Sequence, residues 1–184
     1  MKKLAETLDL LLELQRLDRV PRSGFALRGV NDPESVTEHS WHLAFLVWLL
    51  APEVPGVDAG KAVEMALLHD LAEVRLGDLP LTASRYFAPG AKRRAESQAF
   101  SDLAAPLGPR AHRLFTQYQE SSTPEARLVK ACDKLQLMLK VVAYQTWGTG
   151  DLSEFWHRPE NFPQLDIALV DDLVSELKRR FASE

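Results

Sequence analysis

Four residues of metal-ligand type lie in three separate segments of the chain. His69 and Asp70 are adjacent in MALLHDLAEV, His39 lies upstream in ESVTEHSWH, and Asp133 lies downstream in VKACDKLQ. Two imidazoles and two carboxylates form the mixed nitrogen and oxygen set that suits a catalytic transition-metal ion with open positions for water and a substrate phosphate. These residue types predict a metal site for hydrolysis, provided that the fold brings the three segments together.

Adjacent His and Asp residues arise by chance in many soluble proteins, so the surroundings of the pair decide its weight. The pair follows the apolar stretch 63–68, where an imidazole and an ionised carboxylate are costly to bury unless they are paired or bound to metal. Asp133 lies in the stretch 126–143, which is apolar around most of a helix circumference and predicts a central helix. Their locations therefore favour metal-ligand roles for His69, Asp70 and Asp133 over the roles of ordinary surface residues.

The composition is that of a globular chain long enough for one sizeable core. The 184 residues are 46% hydrophobic, and we expect one domain over residues 1–184, with a core at about 12–145 and a C-terminal helix 163–182 packed on it. A net charge of -4 gives no general attraction for nucleic acid or an anionic membrane, so neither is an expected partner. The single cysteine, Cys132, excludes an internal disulfide and agrees with a cytoplasmic location.

Helices separated by short Pro- and Gly-containing connections are predicted to position the candidate ligands. Helix starts are marked by Ser35 with Glu38 three residues later, a capping-box pattern, and by Thr123-Pro124 before the central helix. No stretch alternates with period 2 and hairpin signals are absent, so the predicted fold class is all-α. The predicted helices cover residues 3–17, 35–50, 58–71, 92–105, 109–118, 126–143 and 163–182.

The order and spacing of His39, the His69-Asp70 pair and Asp133 resemble those of the HD-domain metal-dependent phosphohydrolase superfamily. The segments PESVTEHS, HDLAEVRLGDLP and EARLVKACDKLQ, with PRSGFALRGV upstream, are similar to its 5'-deoxynucleotidase branch, the HD domain-containing protein 2-like group. The resemblance implies a single compact HD-domain helical bundle. It also implies a phosphomonoesterase that releases the 5'-phosphate of deoxyribonucleoside monophosphates through a metal-activated water.

The resemblance implies a ligand set, a cofactor and a partner. The ligands are His39, His69, Asp70 and Asp133, the same four residues that the chemistry selects. The expected cofactor is one divalent ion, Mn, Co, Zn, Fe or Ni, with Mg as an alternative, because such ligands accept several metals. The expected partners are a small-molecule deoxynucleoside monophosphate and a second copy of the chain in a homodimer.

Two acidic residues beyond the His-Asp pair are candidates for catalytic roles. Glu73, four residues after His69, faces the metal if the helix persists that far, and it is expected to orient or deprotonate the attacking water. Its alternative is a surface residue paired with Arg75 or Lys61. Asp78 resembles the acidic residue that accepts a hydrogen bond from the substrate 3'-hydroxyl, and its alternative is a turn carboxylate capping backbone N–H groups after the preceding glycine.

Cations for phosphate recognition lie in the segment before residue 35. Arg22 is the first candidate for a phosphate contact, and Arg28 could share or take that role. Phe25 between them is available to contact a base or a sugar. The alternative for both arginines is a solvated side chain or an ion pair with a surface carboxylate. Lys130, one turn before Asp133, is a weaker candidate of the same kind.

Other aromatic and histidine residues are expected to be structural. His42 forms an H-x-x-H pattern with His39, but beside Trp41 it is more consistent with a packed imidazole than with a second ligand. Phe155 and Trp156 belong to an aromatic cluster expected to pack the last helix or a subunit interface.

Three other functions compete with the nucleotidase prediction. A phosphodiesterase or nucleotide triphosphohydrolase could use the same metal site, although the triphosphate form needs more cations than this acidic chain suggests. A non-catalytic metal-bound helical interaction module would fold around metal without turning over a phosphate ester. A helical adaptor without metal would gain no stability from divalent ions.

Overall fold

A computed structural model describes residues 2–182, which form helices joined by turns and short 3-10 segments. Over these residues the backbone has no β-strand and only an isolated bridge between Pro21 and Ser35, so the all-α prediction is confirmed. The helices are α1 (Lys2–Leu14), α2 (Ser23–Ala26), α3 (Val36–Leu50), α4 (Ala59–Leu68), α5 (Glu73–Leu76), α6 (Leu81–Ser84), α7 (Ala91–Leu103), α8 (Pro109–Glu120), α9 (Pro124–Thr146), α10 (Ser153–Trp156) and α11 (Ala168–Phe181).

The centre of the molecule is formed by α3, α4 and α9, which pack pairwise against one another. Leu43 of α3, Met65 of α4 and Leu128 and Met138 of α9 are fully buried in one apolar cluster. His39 lies on α3 and Asp133 on α9, and the His69-Asp70 pair directly follows α4, so the same packing that buries the apolar side chains fixes the distances between the candidate ligands. The outer helices α8 and α11 pack against α9.

Local capping signals determine where the central helices begin. The Ser35 hydroxyl accepts a hydrogen bond from the Glu38 backbone N–H, and the Glu38 side chain accepts one from the Ser35 N–H, which completes the predicted capping box. Thr123 caps α9 by accepting a hydrogen bond from Ala126 N–H, with Pro124 in the first turn. These caps start α3 and α9 close to their predicted positions.

The helix with the His-Asp pair was predicted to reach residue 71, and this is wrong. The α-helix ends at Leu68, residues 69–72 form turns, and α5 starts at Glu73. Hydrogen bonds with three-residue spacing, from Leu71 N to Leu68 O and from Glu73 N to Asp70 O, replace the α-helical pattern. The chain therefore changes direction immediately after the candidate ligands.

Other predicted bounds also differ from the structure. The first helix ends at Leu14 and continues as a 3-10 turn over Gln15–Arg19, and the last begins at Ala168 rather than at 163. The segment predicted as a loop before residue 35 contains α2. The single domain over 1–184 with a core at 12–145 stays a prediction, and its ends, residues 1, 183 and 184, lie outside the described residues. Between residues 2 and 182, no helix combines the length and apolar character needed to cross a membrane.

Glu125 joins the starts of α4 and α9, and we expect it to make the fold sensitive to acid. Its carboxylate accepts hydrogen bonds from Lys61 Nζ at 2.9 Å and from Asp58 N–H at 3.3 Å. Burial alone would raise the pKa of Glu125, but these contacts lower it to about 2. Because the pKa is lowered on folding, the stabilisation is complete above the unfolded value near 4.5 and is lost as the pH falls toward 2.

The Glu125→Gln substitution is therefore expected to reduce the free energy of unfolding by about 1–3 kcal/mol at neutral pH, with the difference from wild type shrinking in acid. Urea unfolding curves recorded between neutral pH and pH 2 measure it. Glu64→Gln is the matched control, because Glu64 pairs with Arg110 on the surface, where ion pairs contribute little. A deficit for Glu125→Gln that does not change with pH would contradict this assignment.

Candidate active site

The four candidate ligands converge at the meeting point of α3, α4 and α9. His39 Nε2 lies 3.3 Å from His69 Nε2, 3.6 Å from an Asp70 carboxylate oxygen and 3.3 Å from Asp133 Oδ1. His69 Nε2 lies 2.9 Å from Asp70 Oδ2. The ligand atoms of His39, His69 and Asp70 all lie within 4.8 Å of one another, a spacing compatible with one shared metal ion.

The hydrogen bonds behind the two imidazoles determine which nitrogen is free. His69 Nδ1 lies 2.7 Å from the Ala66 carbonyl oxygen, and His39 Nδ1 lies 2.7 Å from Gln136 Oε1. Both partners are acceptors, so both Nδ1 atoms donate, and the two Nε2 atoms, which face each other at 3.3 Å, are the ones that can offer lone pairs to a cation. Two lone pairs beside two carboxylates attract a cation, and this chemistry fits a divalent metal.

The carboxylates beside the imidazoles are held in the charged form. Burial alone would raise the pKa of Asp70, but His69, His39 and Arg22 lower it well below its usual value. Burial likewise opposes ionisation of Asp133, and the neighbouring His39, Lys134 and His69 side chains outweigh it, so the pKa of Asp133 is also lowered. Both carboxylates therefore remain anionic at neutral pH, as a metal ligand requires.

Glu73 faces the same space although the helix before it has ended. The residue is 7% exposed, and among residues 2–182 no group forms a hydrogen bond with its Oε2. Burial raises the pKa of Glu73, and the charges of Asp70 and Asp78 raise it further. The surface pairing considered for this residue is absent, since Arg75 pairs with Glu13 and Lys61 with Glu125. A bound cation would favour the charged form of Glu73 and leave a carboxylate aimed into the site.

Arg22 and Asp78 form one unit at the side of the ligand cluster. Arg22 Nη1 lies 3.3 Å from Asp78 Oδ1 and 3.7 Å from Asp70 Oδ2. Burial would lower the pKa of Arg22, but the surrounding carboxylates, Asp78 first, raise it, so the guanidinium stays charged. Asp78 Oδ2 also accepts a hydrogen bond from Ser23 N–H at 2.6 Å. The Asp78 carboxylate thus holds the start of α2 rather than capping the turn after Gly77.

Arg28 lies at the cavity wall, but its charge is already paired. Its Nε donates to Glu154 Oε2 at 2.8 Å, and Arg158 binds the same carboxylate. Lys130 lies outside the cavity lining and donates to Ser121 Oγ and the Gln119 carbonyl. Arg22 is therefore the predicted phosphate contact that lies nearest to the ligand cluster.

A cavity of about 350 Å³ extends from the ligand cluster. Phe25, expected to contact a base or sugar, is only 1% exposed and packs against Tyr144 and Phe155. Phe155, expected only to pack the last helix or an interface, instead helps to line the cavity. Further lining residues that the sequence did not single out are Lys92, Glu96, Tyr118, Asn161 and Arg158.

His42 and two buried polar residues complete the surroundings of His39. His42 is not one of the residues whose ligand atoms converge, and its Nδ1 lies 3.8 Å from Glu34 Oε2. Glu34 and Gln136 lie behind His39, and sequence reasoning missed both. A signal was available for Gln136, because it is an uncharged polar residue within a largely apolar stretch and lies three residues after Asp133, on the same helix face.

An all-helical fold that brings His39 of α3, Asp133 of α9 and the His69-Asp70 pair after α4 together is the arrangement that the resemblance to the HD domain implies. The chain belongs to the HD-domain family, which it matches over residues 14–165. Among its relatives is the 5'-deoxynucleotidase hdd1 of Schizosaccharomyces pombe, 31% identical over 181 residues, 92% of this chain and 89% of the relative. The predicted similarity to the 5'-deoxynucleotidase branch is confirmed.

Solved structures share the fold of this chain. A conserved hypothetical protein from Pyrococcus furiosus is 37% identical, with a TM-score of 0.82 over 94% of this chain and 99% of that one. The HD phosphohydrolase DatZ of cyanophage S-2L, bound to dA and one catalytic Zn2+ ion, is 25% identical, with a TM-score of 0.52 over 92% of this chain and 82% of that one.

Proposed function

We propose that this protein is a divalent-metal-dependent phosphomonoesterase that releases the 5'-phosphate of deoxyribonucleoside monophosphates. The observation that carries the proposal is the convergence of His39, His69, Asp70 and Asp133 beside the buried guanidinium of Arg22. A cation-binding cluster next to a fixed positive charge suits a phosphate group. The name of the Schizosaccharomyces pombe relative, and the dA bound by the cyanophage enzyme, support a deoxynucleotide substrate.

The metal would be held by the Nε2 atoms of His39 and His69 and by the carboxylates of Asp70 and Asp133. A divalent ion supplies Lewis acidity toward a phosphate oxygen and lowers the pKa of a bound water. Ligands of this kind accept Mn, Co, Zn, Fe or Ni, with Mg as the harder alternative. The Zn2+ of the cyanophage enzyme supports zinc or another ion of this group in this chain.

Three side chains would act on the substrate and the attacking water. Arg22 would bind a phosphate oxygen, because its guanidinium is charged and lies 3.7 Å from Asp70. Glu73 would accept a proton from the water through Oε2, the oxygen that lacks a hydrogen-bond partner. Asp78 would hold Arg22 in position and accept a hydrogen bond from the sugar 3'-hydroxyl. Arg28 would contact substrate only by leaving Glu154.

The pairing of cations around the cavity favours one phosphate over three. Arg28 and Arg158 are paired with Glu154 and Lys92 with Glu96, so an extended triphosphate would have to compete with these carboxylates for three cations. Among the described residues, Lys134 lines the cavity without an ion pair and is one further cation. A single phosphate needs only the ligand cluster and Arg22. This balance of charge favours the monophosphate over the triphosphohydrolase alternative.

The test is phosphate release from deoxy- and ribonucleoside 5'-monophosphates, with Mn, Co, Mg or Zn added to metal-stripped protein. We expect metal-dependent release that is faster from the deoxy substrates. Deoxynucleoside triphosphates and cyclic esters in the same assay distinguish the two rival hydrolases by their products. Metal binding without hydrolysis of any of these substrates would favour the non-catalytic module.

We also propose that two copies associate as a homodimer. The resemblance implies this, and α3 supports it with exposed aromatic rings, Trp41 at 62%, Phe45 at 51% and Trp48 at 60%. A row of exposed rings on one helix is costly in water and suits a symmetric interface. Light scattering should give twice the 20.7 kDa mass of one chain, and a monomer mass at micromolar concentration would contradict the proposal.

We further propose a cytoplasmic location and no nucleic-acid or membrane partner. The single cysteine, Cys132, is buried and unpaired, as expected in a reducing compartment. The net charge of -4 disfavours anionic polymers and anionic lipid surfaces. A fluorescent fusion located by microscopy tests the compartment, and a membrane-bound or secreted fusion would contradict it.

A further inference from the structure

We propose that Glu34 and Gln136 are positioning residues that fix the tautomer and ring orientation of His39, so that its Nε2 is always the free nitrogen. This inference rests on the metal site of the proposed function, but it concerns metal affinity rather than the substrate. It assigns a role to these two buried polar side chains, whose burial the four candidate ligands alone do not explain.

The three side chains form an uninterrupted chain of hydrogen bonds away from water. Gln136 Oε1 lies 2.7 Å from His39 Nδ1, and Gln136 Nε2 donates to both Glu34 carboxylate oxygens, at 3.1 and 3.3 Å. The exposed fractions are 0% for His39, 3% for Gln136 and 4% for Glu34. Burying a carboxylate and an amide is costly unless their polar atoms are satisfied, so this arrangement is strongly constrained.

The direction of each hydrogen bond follows from the chemistry of Glu34. A carboxylate only accepts, so it orients the Gln136 amide with its NH2 toward Glu34 and its oxygen toward His39. That oxygen also only accepts, so His39 Nδ1 must carry the proton and Nε2 must present its lone pair to the metal. The fixed charge of Glu34, acting through Gln136, thus determines the tautomer of His39.

The carboxylate of Glu34 is itself held from several sides. Lys140 Nζ lies 3.1 Å from Glu34 Oε2, and His42 Nδ1 lies 3.8 Å from the same oxygen. The Glu34 backbone N–H donates to the Tyr144 hydroxyl at 2.7 Å. Glu38 adds no direct contact, because its carboxylate is engaged by the Ser35 cap.

The network ties two ligand-bearing helices together. Gln136 and Lys140 follow Asp133 on α9 at three- and four-residue steps, so one face of that helix provides both a proposed ligand and the side chains that support His39. Glu34 directly precedes the cap of α3, which carries His39. His69 needs no such network, because a carbonyl of its own helix orients it.

Gln136→Met and Glu34→Gln test the inference, with Co2+ titrated into metal-free protein by calorimetry. Gln136→Met removes the oxygen that accepts the His39 Nδ1 hydrogen bond. Glu34→Gln replaces a carboxylate that only accepts by an amide that can also donate, so the Gln136 amide can then turn either its oxygen or its NH2 toward position 34. We expect Co2+ affinity to fall by about 10–100-fold in each variant, the usual effect of losing an outer hydrogen bond to a ligating histidine. If Gln136→Met folds poorly, Glu34→Gln still tests the inference, because it keeps the side-chain volume.

The double variant provides the sharper result. Because Glu34 acts through Gln136, adding Glu34→Gln to Gln136→Met is expected to cause no further loss of Co2+ affinity. Tyr144→Phe is the matched control, since it removes a hydrogen bond to the Glu34 backbone but leaves the carboxylate in place, and it should keep wild-type affinity. If the loss of Co2+ affinity in the double variant equals the sum of the losses in the two single variants, the inference is overturned.

Nitrogen NMR of the His39 ring in metal-free protein at alkaline pH is independent of both metal and substrate. We expect the Nδ1–H tautomer in wild type and in Tyr144→Phe, and an increased Nε2–H population in Glu34→Gln. An Nε2–H ring in wild type would overturn the inference even if the protein proved to be an active nucleotidase. The expected tautomers without phosphate release from any substrate would instead contradict only the proposed function.

Discussion

Glu73→Gln is expected to slow phosphate release by about 10²–10⁴-fold, the usual contribution of a positioned general base, while the protein still binds metal. An amide has nearly the same shape as a carboxylate but cannot accept the proton of the attacking water. Glu73 is buried, and burial together with the charges of Asp70 and Asp78 raises the pKa of its carboxyl. The neutral amide of glutamine suits the same surroundings, so the substitution should not destabilise the fold. Single-turnover release measured alongside metal content tests this prediction.

Glu96→Gln is the matched control for this substitution. Glu96 lines the same cavity, but it pairs with Lys92 and takes no part in the ligand cluster. We expect a change of less than about 10-fold in rate for this variant, because only binding contacts are altered. An unchanged rate in Glu73→Gln would remove Glu73 from the chemistry, and loss of metal would make it part of the metal site instead.

Features set by local chemistry were predictable from the sequence. The Ser35 capping box and the Thr123-Pro124 start depend on residues within one turn, and the structure has both. The apolar stretch 126–143 required a buried helix, and α9 is that helix. The candidate ligands were selected because charged and imidazole groups beside apolar runs need a partner, and the fold brings them within contact distance.

Features set by contacts between distant segments were not predictable. The short helix α2 depends on Asp78, which accepts a hydrogen bond from Ser23 N–H 55 residues away in the chain. The burial of Phe25 likewise depends on Phe155, which stacks on it with ring centres 5.4 Å apart. The periodicity of one sequence contains no information about contacts between distant segments, so the residues that line the cavity could not be predicted from it.

Asp70→Asn is expected to abolish the stabilisation that divalent ions give the wild type. Asp70 is the proposed ligand whose Oδ2 lies close to both imidazoles, at 2.9 Å from His69 Nε2 and 3.6 Å from His39 Nε2. Asn keeps its shape but has no negative charge to bind a cation. For wild type at a metal concentration 100 times the Kd, we expect a gain of about 2.7 kcal/mol in the free energy of unfolding. Melting curves with and without Mn2+ measure this gain.

The same substitution should reduce phosphate release by about 10³-fold or more, because the metal supplies several kcal/mol of transition-state stabilisation. Asp78→Asn is the matched control, since it makes the same change in the same cavity. That residue holds Arg22, so its loss should raise KM for the nucleotide and leave the metal-dependent rise in Tm intact. A metal-dependent Tm gain that survives in Asp70→Asn would place the ion elsewhere, and the nucleotidase proposal would then lose the observation that carries it.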